Sequence, residues 1–168
     1  MARHVEHAAA KVNLTLEVLG RRPDGYHEFD SLVAFASVGD RLELDMDRPA
    51  RLTIDGSFAA AIEGPNLLDK AVDAVRAAWQ GVRAGALHLE KSLPVAAGLG
   101  GGSADAAACL RLLARANVGL ASPPDWPSIA RRLGADVPVC LVSRMSRIQG
   151  RGERVTRLPA VEPLATAL

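Results

Sequence analysis

In the stretch PVAAGLGGGSADAAACLRLL, residues 94–113, glycine fills positions 98, 100, 101 and 102, and a run of helical character starts directly behind them. Glycine costs about 0.5–1 kcal/mol relative to alanine inside a regular element. Four of them forgo about 2–4 kcal/mol, a large part of a total stability of about 5–15 kcal/mol. A positive φ or a close backbone approach has to offset that loss. Successive amides in such a loop can converge on one concavity, and that concavity holds anions. The helix behind it adds unpaired N–H groups and a partial positive charge at its start. Loop and helix together make a phosphate cradle. Ser103 can cap the helix or offer its hydroxyl to a phosphate or a metal-bound water. A tight structural turn with small residues for close packing is the alternative; the density of glycines with a helix at once behind favours the cradle.

The cradle matches none of the common nucleotide loops. No Gly-Lys-Ser/Thr follows it, so it is not a Walker A motif. Counting from Gly98 puts Ser103 where a dinucleotide fingerprint has its third glycine, and no acid near position 120 suits a ribose contact. The protein-kinase signature set is absent as well.

Around the loop, the pattern of apolar residues predicts an α+β domain. Val12, Leu14, Leu16 and Val18 alternate with Asn13, Thr15 and Glu17, which reads as a half-buried strand with Lys11 on the polar face. Pro23-Asp24-Gly25 is a turn signal. Residues 31–38 read as a second strand, Gly39-Asp40 as a turn, and 41–46 and 51–55 as two further strands. Four strands with tight connections imply a largely antiparallel sheet. Leu67, Leu68, Ala71, Val72, Val75 and Trp79 share one helical face behind Gly64-Pro65-Asn66. Residues 86–93 form another strand, roughly 103–117 a helix, and 122–134 a shorter helix stopped by Gly134. The segment ADVPVCLV and strand-like RIQGRGERVTRL follow. Strands first, with helices interleaved later, point to α+β rather than a regular βαβ array.

Composition narrows the classes. The chain has 168 residues, net charge +1, 49% hydrophobic and 23% charged residues, which is ordinary globular material that can bury a core. The charge balance argues against a nucleic-acid surface or a polybasic membrane anchor. No apolar run approaches the ~18 residues of a membrane span, and the first residues lack a signal-peptide layout. Cys109 and Cys140 lie in apolar runs without metal spacing, so buried free thiols in a reducing, cytoplasmic setting are expected. Several polar residues have plain structural readings. Asp136 follows a helix-ending glycine and can cap a new turn. Lys11 can be solvated on the outer face of its strand. Tyr26 and His27 can be turn residues, and His27 has no ligand-spaced partner. His88, between Leu87 and Leu89, is expected exposed or hydrogen-bonded. Asp105 suits the first turn of a helix but would repel a phosphate, so its side chain is expected to point away.

The segment PVAAGLGGGSADAA resembles the second motif of the GHMP kinases, the superfamily of galactokinase, homoserine kinase, mevalonate kinase and phosphomevalonate kinase. AAAKVNLTLEVLGRRPDGYHEFDSL (8–32) and RRLGADVPVCL (131–141) are similar to one bacterial branch of it, which phosphorylates a hydroxyl of a cytidine-diphosphate-linked methylerythritol in the non-mevalonate isoprenoid pathway. AKVNL, DGYHE, GLGGGS and GADVP occur in that order, and the resemblance runs from about residue 8 to 158. It implies the fold of a GHMP kinase N-terminal domain (ribosomal protein S5 domain 2-like), a mostly antiparallel sheet packed with helices. It implies an ATP-dependent, Mg²⁺-assisted small-molecule kinase with no dedicated protein cage for the metal and no nucleic-acid or membrane partner. By position, Lys11 and Asp136 match the catalytic lysine and aspartate. Asn13, Tyr26 and His27 match substrate-contacting positions. Asn66 matches a position near the nucleotide base. Pro94, Val95, Ala96, Ala97, Gly98, Leu99, Gly100, Gly101, Gly102, Ser103 and Ala104 match the ATP phosphate loop. Phosphoryl transfer asks a protein mainly for positioning and charge stabilisation. An aspartate can take the proton of the attacking hydroxyl, and a lysine beside it can keep it ionised. Ala9 stands where the family commonly has proline, and Ala104 where a second serine is frequent.

Family members carry a second domain with a third glycine-rich motif, which this sequence does not match. Residues 1–158 are therefore expected to form the ATP-binding domain and 159–168 the cut-short start of the next. The alternatives to a kinase are a nucleotide-binding fragment without turnover and a GHMP kinase for another small alcohol.

Overall fold

The structure is a computed structural model and describes residues 3–21, 23 and 25–159. Among these residues, seven strands and four α-helices follow in the order β1 (Arg3–Asn13), β2 (Glu17–Arg21), β3 (His27–Asp45), β4 (Arg51–Asp55), α1 (Leu67–Ala78), β5 (Ala86–Glu90), α2 (Gly101–Ala116), α3 (Trp126–Leu133), α4 (Val137–Val142), β6 (Ser146–Gly150) and β7 (Arg154–Arg157). The expected start of a next domain, 159–168, lies outside the described residues beyond Pro159, and so does Asp24 of the turn signal.

All seven strands form one sheet, ordered β4-β5-β3-β6-β7, with β1 and β2 also paired to β3. β3 is the spine. Its first half pairs with β2 and β6 and its second half with β5, while β1 runs alongside from Val33 to Asp45. Every pairing is antiparallel except β4 with β5, which is parallel. That exception follows from α1, which intervenes between those two strands and returns the chain in the same direction.

Two strand readings are corrected. The alternation over 12–18 belongs to two strands, split at Leu14–Leu16, with Leu14 N and Thr15 N both donating to Leu32 O. Gly39-Asp40 is no turn but the middle of β3. A Cβ on Gly39 would lie 2.4 Å from Ala8 O and 2.8 Å from Ala9 Cα, next to a register shift in β1 between Ala9 and Lys11. The glycine serves close approach at a bulge.

The core lies between the sheet and the helices. Leu42, Leu44 and Met46 of β3 and Leu87 and Leu89 of β5 meet Leu68, Ala71, Val72 and Val75 of α1 and the buried length of α2. α2 buries nine of its sixteen residues, including four alanines. Small side chains there and at Ala8, Ala9 and Ala10 let the helix lie close over β1. Its second half is pinned by charge: Arg111 donates to Glu6 Oε1 at 2.8 Å and to Cys140 O at 2.7 Å, and Arg115 donates to Val5 O at 2.7 Å. Asn117 at the helix end satisfies its whole amide, giving Nδ2–H to Leu113 O and Arg83 O and accepting from Arg83 N. Trp79 meets Trp126 edge-on at 5.6 Å and donates to Ala121 O, which ties α1 to α3. No helix among the described residues is long and apolar enough to cross a membrane.

Candidate active site

The loop ahead of α2 has the geometry of a nest. Ala96, Gly98 and Gly100 all have positive φ, at 59°, 76° and 64°, while the residues between them do not. Such alternation turns successive amides to one side. Gly100 is the N-cap of α2, and Ala104 N closes the first helical bond on Gly100 O at 2.8 Å. The earlier first-turn amides, of Gly101, Gly102 and Ser103, point out of the helix end with its positive pole. The side chain of Ala104 is buried. Ser103 sits within the first turn and makes no capping bond. Around the loop lies a cleft of about 340 Å³, lined by Pro94 to Ser103, by Asn66 and Leu67 at the start of α1, and by Lys91 and Asp105. Asn66 caps α1, accepting from Leu68 N at 2.9 Å.

Lys11 and Asp136 come together. Lys11 Nζ lies 3.0 Å from Asp136 Oδ2. Lys11 is buried, not solvated as its place in the alternation suggests, because the loop closes over it. Its amide donates to Leu99 O at 2.8 Å, and a Cβ on Gly100 would press on its stem at 3.2 Å. Asp136 occupies the N-cap position of α4 but its carboxylate makes no capping bond. It turns to Lys11 instead, so the capping reading is corrected.

The positions matched to substrate contacts lie along the β2–β3 side. Asn13 Nδ2 donates to Ser31 Oγ at 3.1 Å. Tyr26 is exposed, with the Arg151 guanidinium 4.7 Å from its ring centre. His27 opens β3, exposed and paired in register with Arg21. Arg151 adjoins Gly152, whose backbone is so near Ala135 O that a Cβ would lie 2.6 Å from it. The turn between β6 and β7, whose Arg151 lies over the tyrosine ring, thus abuts the residue before Asp136. His88 is half-buried on the outer sheet face, bonded to Thr53 Oγ1 at 3.1 Å.

Three charges meet beneath the loop: Lys91, which the sequence did not single out, Asp40, expected in a turn, and Asp105, expected to point away. Lys91 Nζ donates to Asp105 Oδ2 at 2.8 Å and to Asp40 Oδ2. Asp40 Oδ1 accepts from Ser92 N at 2.6 Å and Leu93 N at 2.7 Å. All three are buried. Asp105 does not point away: it turns inward to Lys91. Burial pushes its carboxyl up to about 7, against the opposing pull of Lys91 and with added repulsion from Asp40. Burial alone would lower Lys91, but Asp105 and Asp40 carry it above the usual lysine value. The signal was in the registers. Lys91 continues Leu87-Leu89 and is followed by Leu93; Asp40 precedes Leu42-Leu44-Met46. Both are charges on apolar faces, one step beyond the Arg41–Glu90 pair. Among the described residues no group of three His, Cys, Asp or Glu can hold a metal ion.

Glycine nest, helix end and the lysine–aspartate pair together make a hollow whose amides and positive helix pole suit an anion. This chain carries a GHMP kinase N-terminal domain, which residues 66–144 match. Its similar relatives bear the name 4-diphosphocytidyl-2-C-methyl-D-erythritol kinase: one from Methylobacterium radiotolerans is 54% identical over 97% of this chain and 57% of its own length, and one from Dinoroseobacter shibae 52% over 96% and 53%. A crystal structure of 4-(cytidine 5'-diphospho)-2C-methyl-D-erythritol kinase superposes with TM-score 0.74 at 39% identity, over 92% of this chain and 55% of that one. Mevalonate pyrophosphate decarboxylase from Streptococcus pyogenes shares the fold alone, with TM-score 0.58 at 11% identity over 98% of this chain and 57% of its own. The chain spans a little over half the length of these relatives.

Proposed function

We propose that this chain is the nucleotide-binding half of a kinase that transfers the terminal phosphoryl group of ATP to a hydroxyl of 4-diphosphocytidyl-2-C-methyl-D-erythritol, a step of isoprenoid biosynthesis. The observation that carries the reading is the 3.0 Å Lys11–Asp136 pair set against Gly100 of the nest. Triphosphate oxygens accept from the amides of the loop and of the first turn of α2. Asp136 accepts the proton of the attacking hydroxyl. Lys11, held between Leu99 and Gly100, pairs with that carboxylate and stabilises charge building on the transferring group. Asn66 borders the base end of the cleft, and Asn13, Tyr26 and His27 border the alcohol. Mg²⁺ would be carried by the nucleotide as its counter-ion and would offset phosphate charge. The identity of the alcohol rests on the names of the relatives and on the DGYHE segment.

The test is ADP release by the purified chain with ATP, Mg²⁺ and the cytidine-linked alcohol, beside Asp136→Ala. Removal of a general base costs about 10²–10⁴-fold, so turnover should fall by that factor while nucleotide binding persists. Binding without turnover in the parent chain selects a nucleotide-binding module instead. A folded chain that binds no nucleotide ends the proposal.

A further inference from the structure

The buried cluster of Asp40, Lys91 and Asp105 holds two carboxylates and one ammonium, and it lies directly under the start of α2. A Cβ on Gly101 would lie 3.0 Å from Lys91 Nζ and 3.7 Å from Asp40 Oδ2. Lys91 and Asp105 also line the cleft. The two carboxylates are not equivalent. Both oxygens of Asp40 are engaged, by Lys91 and by the amides of Ser92 and Leu93. Asp105 has only Oδ2 engaged, and Oδ1 is fully buried without a hydrogen-bond partner among the described residues. A buried carboxylate oxygen with no donor is the place where a proton is gained most readily.

Other charged groups around α2 are already committed. Lys11 of β1 pairs with Asp136 at the head of α4. Glu6 of β1 is held by Arg111 and Arg115. The Cys140 thiol of α4 is pushed up to about 12 by burial and stays protonated. Asp69 of α1 bears on Cys109, and Arg131 and Arg132 of α3 face solvent. Among the described residues, Lys91 and Asp40 are the charged groups that bear on Asp105.

Resting on the nucleotide-site reading above, we propose that filling the nest with a nucleotide's phosphates draws one proton from solvent onto Asp105 Oδ1. The cluster then passes from net −1 to neutral, and Lys91 is left shared between Asp40 and a neutral acid. The cause is repulsion: phosphates over Gly101 bring several negative charges close to a carboxylate that one lysine, divided between two partners, does not neutralise. The resting carboxyl near 7 makes the event visible at ordinary pH.

Titration calorimetry of the full chain with ADP, in HEPES and in Tris at pH 7.5, reads the proton through the different ionisation heats of the buffers. With a rise of one pK unit on binding, uptake is about half a proton, and affinity weakens about fourfold from pH 7 to 8.5. Asp105→Asn, or Asp105→Ser if the amide variant does not fold, should take up none by comparison and bind ADP with a flatter pH profile. Binding by the parent chain with no buffer-dependent heat overturns the inference and leaves the nucleotide site standing. Equal uptake in parent and variant overturns it as well, since the proton then sits elsewhere. A folded chain that binds no ADP overturns both.

Discussion

Lys11 and Asp136 meet across 125 positions of sequence, and each is held by something other than its partner. Lys11 is fixed through its amide on Leu99 O and its stem against Gly100, so its position does not depend on the ion pair. Lys11→Met should therefore leave the chain folded and nucleotide-binding while lowering turnover by about 10²–10³-fold, the range for removing one transition-state donor; a KM-against-kcat comparison checks it. Asp105 also marks the pH dependence of stability. Its carboxyl rises from an ordinary 3.8 to about 7 in the folded chain, so the native state binds the extra proton. The stability this brings is full below about pH 4 and is lost as pH rises through 7. Asp30 and Glu43, held low by hydrogen bonds from Arg147 and Arg41, act in the opposite sense, losing their part as pH falls below the usual carboxylate range. These two sit at the surface, where screening keeps such effects small. The melting temperature should fall from pH 6 to 8 in the parent chain and change less in Asp105→Asn.

At the scale of elements, the join between loop and α2 is the part that tolerates least. Gly100→Ala would force a side chain to φ 64° and press its Cβ on Lys11 at 3.2 Å. The left-handed conformation alone costs about 1–2 kcal/mol. Thermal unfolding should register that loss, and nucleotide binding should weaken further because relief of the clash moves the amides of the loop. The cap of α1 is a milder case: Asn66→Ala should cost about 1 kcal/mol, read by urea unfolding. Much of this level was legible. The glycine spacing gave the nest and its helix, and the 3.6-residue pattern from Leu67 gave α1 to within a residue. What could not be read was long-range. Nothing local distinguishes a glycine in a turn from Gly39, which sits in a strand because β1 passes against it. Nor does alternation reveal that Lys11 is covered, since the cover comes from Leu99. Lys91 and Asp40 were readable as charges on apolar registers, but only their pairing across β3 and β5 explains them.

At the scale of the whole molecule, α2 is the central beam, packed on β1, β3, α1, α3 and α4. Leu113→Ala, at a fully buried site in it, should cost about 2–5 kcal/mol and lower the urea midpoint accordingly. The same packing shields the two cysteines. Burial pushes Cys109 and Cys140 up to about 12, so a thiol reagent at pH 8 should label neither in the native chain and both after unfolding, a direct readout of global opening.

β3 carries one further consequence. A single nineteen-residue strand begins at His27 and reaches Asp40 before it ends, so the spacing between the Tyr26–His27 rim and the anchor under the glycines is fixed by covalent bonds and ladder pairing, with no hinge between them. One inserted residue in that span would reverse the facing of every side chain beyond it and turn Asp40 toward solvent. Variation in length must then be accommodated outside it, in stretches such as the link from Asp47 to Ala50, and grafting experiments that exchange one rim while keeping the other should move the whole strand as a block.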